Sequence, residues 1–104
     1  ANPLVLRPLS DLYTSDDAHL LVAELPGVSM DAVELTLDGR VLKLAAHSGS
    51  DDAPTLYQRD YPLPRDVELS DAQGISAQMK DGLLEVTLPK RESLKPKRIE
   101  VRGS

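Results

Sequence analysis

Two Asp-Gly dipeptides, Asp38-Gly39 and Asp81-Gly82, each sit between short segments in which apolar residues recur at every second position. A period of two puts alternate side chains on one sheet face, and Asp-Gly between two such runs is a strong local hairpin signal. Val33, Leu35 and Leu37 share a face before the first dipeptide, and Val41-Leu42-Lys43-Leu44 follows it. Ile75-Ser76-Ala77-Gln78-Met79-Lys80 precedes the second, and Leu84, Val86 and Leu88 share a face after it, up to the stop at Pro89. Two such hairpins commit the chain to sheets.

The intervening segments agree. Ala18 to Leu25 is an apolar run stopped by Pro26-Gly27, which is turn punctuation. Ser29-Met30-Asp31-Ala32 supports no more than a helical turn capped by Ser29, because the residues after it break the helical period. Ser48 to Pro54 reads as a polar loop, and Thr55 to Tyr61 as a strand closed by Pro62-Leu63-Pro64. Those prolines remove backbone donors and predict a strand at or near a sheet edge. Val67-Glu68-Leu69 is a further short apolar alternation. Many short strands with turn signals between them, in a chain of 104 residues, predict a single all-β domain, an immunoglobulin-like antiparallel β-sandwich.

Composition narrows the function. The chain has no Phe or Trp, and its aromatics are Tyr13, Tyr57 and Tyr61. Such a core buries less area per residue, which predicts a modestly stable monomer whose burial is completed by neighbouring chains. There is no cysteine, so disulfides and thiolate metal sites are excluded and a reducing cytoplasm is the expected compartment. No apolar run is long enough to span a bilayer and no signal segment opens the chain, so no membrane role is expected. A net charge of −5 and a pI near 4.9 argue against nucleic-acid binding. The basic residues Lys90, Arg91, Lys95, Lys97 and Arg98 read as a solvated tail.

No catalytic, metal or cofactor constellation emerges. His19 lies within an apolar strand and His47 beside the polar loop, neither with a partner at ligand spacing. Asp16-Asp17 and Asp51-Asp52 lack the spacing of a calcium loop, and no glycine-rich phosphate loop occurs. An enzyme is therefore not expected. The last apolar pair, Ile99 and Val101, stands two residues apart and so points one way in an extended chain. A segment that short cannot bury the pair: it is either a frayed tail or a plug for a groove elsewhere.

Ala77-Gln78-Met79-Lys80-Asp81-Gly82-Leu83-Leu84, continued by Glu85-Val86-Thr87-Leu88-Pro89-Lys90, resembles the signature of the α-crystallin domain of small heat-shock proteins. Glu24-Leu25-Pro26-Gly27-Val28 resembles the Leu-Pro-Gly-Val turn of the bacterial and plant branch, and Tyr61-Pro62-Leu63-Pro64 the end of that family's edge strand. The resemblance runs from about Asp11 to Val101. It implies an ATP-independent holdase that binds partly unfolded clients and assembles as a homodimer, with larger oligomers formed through the tail. It also implies that Ile99 and Val101 are the tail motif that docks into a neighbouring subunit. The receiving groove then lies between Val33, Leu35 and Leu37 on one strand and Ile75 and Ala77 on another, a case of strand addition. The expected organisation is an N-terminal arm over 1–10, the α-crystallin domain over 11–90 and a C-terminal extension over 91–104.

Two departures bear on assembly. The arm ahead of the domain is short, which fits an excised core or limited assembly. The 48–54 loop lacks the small strand that relatives swap onto the partner, so dimer pairing through Leu56, Tyr57, Arg59 and Tyr61 is the alternative to a swapped dimer. A co-chaperone CS domain, an adaptor for an ATP-driven chaperone, shares the sandwich but has no need of the Ile99–Val101 pair. An extracellular adhesion sandwich is disfavoured by the lack of cysteine.

Overall fold

In a computed structural model, which describes residues 2–70 and 74–103, eight strands form two four-stranded sheets. The strands are β1 (Leu4–Leu6), β2 (Ser10–Thr14), β3 (Ala18–Glu24), β4 (Val33–Asp38), β5 (Val41–Gly49), β6 (Pro54–Pro62), β7 (Ser76–Lys80) and β8 (Leu83–Pro89). One sheet has the order β1-β6-β5-β4 and the other β2-β3-β8-β7. Every pairing is antiparallel except that of β1 with β6. Short 3-10 turns among the described residues include Met30–Ala32, which follows Ser29 as expected but without a side-chain cap, and Glu92–Leu94. Val67 makes only an isolated bridge to Lys90, so the expected strand at Val67–Leu69 does not form.

The core is the meeting of the two inner faces. Leu42, Leu44 and Ala46 of β5 pack with Leu21 and Ala23 of β3 and Leu84, Val86 and Leu88 of β8, closed by Leu25, Tyr61, Leu63 and Val67. Register follows this burial. Leu21 lies opposite Val86 and Ala23 opposite Leu84, so a one-residue slip would turn the apolar set of either strand to water. The edge strands are far less covered than the central ones: β2 is exposed from Asp11 to Thr14, while β8 alternates strictly between buried and open positions.

The two Asp-Gly turns differ in register. Lys80 pairs with Leu83, so Asp81 and Gly82 form the loop itself, with φ of 50° and 78° as a type I′ turn requires. In the first hairpin Asp38 pairs with Val41, and the loop is Gly39-Arg40 with positive φ only at Gly39. The reason lies in the strands. The observed register sets Leu37 against Leu42, Leu35 against Leu44 and Val33 against Ala46, three apolar pairs on the core side. A loop made of Asp38-Gly39 would set Leu37 against Arg40 and lose one of them.

Candidate polypeptide-binding groove

β4 ends one sheet and β7 ends the other, and the two open edges face each other along one side of the sandwich. Between them lies a cavity of about 180 Å³ lined by Met30, Val33, Leu35, Ala77, Gln78, Met79 and Leu84. Inward residues of an edge strand have a neighbour on one side only, so Val33, Leu35 and Leu37 remain half-exposed where their pairing partners Leu42, Leu44 and Ala46 are buried. Ala77, which pairs with the buried Val86, contributes little bulk on the β7 side of the cavity. The result is an apolar slot flanked by two rows of unpaired backbone N–H and C=O groups, which are the elements of strand addition.

Of the five groove residues expected from sequence, the cavity wall includes Val33, Leu35 and Ala77. Leu37 and Ile75 are half-buried and pack on the core beside it. Met30, Gln78, Met79 and Leu84 line the slot as well. Met79 was legible, since it alternates with Ala77 along β7. Met30 was not, because a residue of an irregular turn has no period to mark it.

Ile99 and Val101 are 84% and 91% exposed, in an extended segment that makes the molecule 75 Å long against 26 and 19 Å in the other directions. The slot and the pair are thus both open in the same chain. The root of this segment is fastened. Lys95 Nζ lies 2.8 Å from Glu92 Oε2 and 3.7 Å from Asp17 Oδ1, and the hydrogen bond to Glu92 is the main cause of its raised pKa. The Lys90 N–H donates to the Asp17 carbonyl.

On the opposite side of the sandwich, β6, the expected dimer edge, has a further strand beside it. β6 is not outermost: Leu4, Val5 and Leu6 of β1 pair with Thr55, Leu56 and Tyr57. Arg59 points to the inner side, donates to the Pro8 carbonyl at 2.9 Å and lies over the Tyr61 ring at 5.2 Å. Tyr61 is buried and shares a 2.6 Å hydrogen bond with Ser10 Oγ. Tyr57, Arg59 and Tyr61 therefore serve the interior and the N-terminal segment of their own chain, and Leu56 pairs with Val5 of β1. The physical reason is the 2–9 segment, whose Pro8 is fully buried and carries the chain alongside β6.

His19 has partners that spacing along the sequence concealed. Its ring is buried, with Nε2 2.6 Å from Asp66 Oδ1 and Nδ1 2.8 Å from Thr14 Oγ1. An ionised carboxylate can only accept, so in the neutral ring Nε2 carries the proton and Nδ1 accepts from the threonine hydroxyl. The hydrogen bond from His19 holds the Asp66 carboxyl below its ordinary value, helped by the charges of His19 and of Lys90, whose Nζ is 3.9 Å away. The cluster ties β2, β3 and the loop after β6 together.

Known proteins agree with this architecture. The chain superposes on heat shock protein 16.0 from Schizosaccharomyces pombe with a TM-score of 0.73 and 27% identity, over 93% of this chain and 76% of that one. It shares its fold with a small heat-shock protein from Xylella fastidiosa, described as having a distinct high order structure, at a TM-score of 0.74, 24% identity, and 94% and 98% coverage. The protein is thus a β-sandwich of the small heat-shock class. Among proteins known by sequence, it is 33% identical to a probable 15 kDa heat shock protein of Leptospira interrogans over 95% of this chain and 81% of that one. It is 28% identical to small heat shock protein C4 of Rickettsia felis, over 96% of this chain and 67% of that protein. The model of the Hsp20/alpha crystallin family matches residues 11–102, and the chain belongs to that family.

Proposed function

We propose that this protein is an ATP-independent holdase, a non-enzymatic chaperone of the cytoplasm that binds partly unfolded polypeptides and keeps them from aggregating. The observation that carries this reading is the apolar slot between the open edges of β4 and β7, in a chain that also holds an exposed Ile99–Val101 pair. Partly unfolded chains expose apolar residues at alternate positions together with unpaired backbone groups, and an edge-bounded apolar slot complements both. The same slot is the proposed receptor for Ile99 and Val101 of a neighbouring subunit, so that assembly and client capture draw on one surface. The basic unit is a homodimer. Pairing through Leu56, Tyr57, Arg59 and Tyr61 requires β1 either to leave β6 or to become the outer strand that pairs. In this reading 1–10, 11–90 and 91–104 act as arm, domain and extension.

The test is light scattering of a heat-labile enzyme with rising amounts of the full chain, together with mass measurement in solution. Suppression of aggregation is expected, as is a lower mass for the chain with Ile99→Gly and Val101→Gly. No suppression at several-fold molar excess overturns the holdase reading. Equal masses remove the tail from assembly.

A further inference from the structure

The walls of the slot carry a charge pattern that the apolar contacts leave unused. Along β4 the residues between Val33, Leu35 and Leu37 are Glu34, Thr36 and Asp38, all exposed on the outer face. Along the tail the residues flanking and separating Ile99 and Val101 are Arg98, Glu100 and Arg102, also exposed. In extended chains four residues span about 13 Å. Glu34 and Asp38 are therefore spaced as Arg98 and Arg102 are, and the patterns are minus, neutral, minus against plus, minus, plus. The other wall fits as well. The outward residues of β7 are Ser76, Gln78 and Lys80, without an acidic group to repel Glu100.

The remaining charges near the slot decide which end matters more. Lys43 of β5 pairs with Thr36 across the sheet, and its Nζ lies 3.4 Å from Asp38 Oδ2, so it already offsets that carboxylate. Glu34 pairs with Ala45, and among the described residues no ion pair to Glu34 is found. Asp31, in the turn beside Met30, adds negative charge at the start of β4, and Asp81 follows Lys80 at the end of β7.

We infer that Glu34 and Asp38 make the slot selective for an apolar pair bracketed by arginines, and so for the tail of a second copy of this chain over other apolar strands. The inference rests on the reading that Ile99 and Val101 dock in the slot. It adds the residues that decide which segment wins there: apolar contact supplies affinity to any alternating strand, and the outer carboxylates supply discrimination. Because both partners lie in water, the preference fades as salt screens it.

The test uses the full chain and a fluorescein-labelled peptide of residues 94–103, with binding read by fluorescence anisotropy at several salt concentrations. Glu34→Lys with Asp38→Lys in the chain is expected to weaken binding at low salt on the order of tenfold, from two exposed pairs turned repulsive. A peptide carrying Arg98→Glu and Arg102→Glu is expected to restore it. Glu34→Lys alone is expected to cost more than Asp38→Lys alone. Equal affinity of the doubly substituted chain for both peptides overturns the inference. A peptide with Ile99→Gly and Val101→Gly separates the two levels: its loss of binding upholds docking whatever the charge variants do. Retained binding by that peptide, or no binding of the unaltered one, overturns docking and the charge selection with it. Unchanged circular dichroism spectra confirm that the surface variants fold.

Discussion

Replacing Asp66 by alanine removes a carboxylate that three elements share. His19 is 6% exposed, and loss of Asp66 leaves its Nε2–H without the acceptor now at 2.6 Å. A hydrogen bond to a charged group contributes about 1.5–3 kcal/mol, and an orphaned buried donor costs a similar amount. Asp66 keeps 31% of its side-chain exposure, so water can enter part of the vacated space and the lower end applies. Asp66→Ala is therefore expected to lose about 2 kcal/mol. For a domain of this length that corresponds to a fall in Tm of roughly 8–10 °C. The backbone bond from the Arg91 N–H to the Asp66 carbonyl survives the change, so the loss isolates the side chain. Asp66→Asn keeps a neutral acceptor for Nε2–H and should lose about half as much. The assay is equilibrium urea unfolding followed by far-UV circular dichroism at several protein concentrations, which separates folding from association. A loss below about 0.5 kcal/mol for Asp66→Ala, or equal losses for the Ala and Asn variants, would refute the reasoning.

The same cluster sets an acid limit. The folded Asp66 carboxyl titrates below its unfolded value, so its contribution is complete above the ordinary carboxylate pKa and is lost as pH falls through the depressed folded one. Acid titration of stability should be shallower in Asp66→Ala than in the parent chain. Leu44→Ala, at a core position 1% exposed, should cost about 2–5 kcal/mol by urea unfolding, and Val86→Ala, at 0% exposed, should cost less because it removes fewer buried carbons. Gly39→Ala meets no atom within 4 Å and Gly82→Ala only ordinary contacts, so each should lose about 1–2 kcal/mol through its positive φ alone. Tyr61→Phe removes the bond to Ser10 and should cost about 1 kcal/mol while loosening the entry to β2, seen as faster amide exchange at Ser10 and Asp11.

The alternation around Asp38-Gly39 and Asp81-Gly82 was sufficient to establish strands, hairpins and the sandwich, because a period of two has one structural meaning in a short run. It placed Val33, Leu35 and Leu37 on one apolar face, and the resemblance to the α-crystallin domain then marked Val33, Leu35 and Ala77 among the groove candidates. What it could not convey was any relation that depends on distant segments meeting. The loop of the first hairpin moved to Gly39-Arg40 because cross-strand apolar pairs outweigh the turn preference of the dipeptide. β6 read as lying at or near an edge because proline marks one, and it lies next to one: three residues near the N-terminus pair with it, and β1 has too few residues for alternation to signal a strand. β2, open to water along Asp11–Thr14, has no alternation to read and takes its place from pairing with β3. His19 and Asp66, 47 positions apart, form a bonded pair only when the loop after β6 closes over β3. Local chemistry thus determined which segments are strands and which faces are apolar. The tertiary structure alone decided which edges stay open, because an edge is defined by the neighbour it lacks.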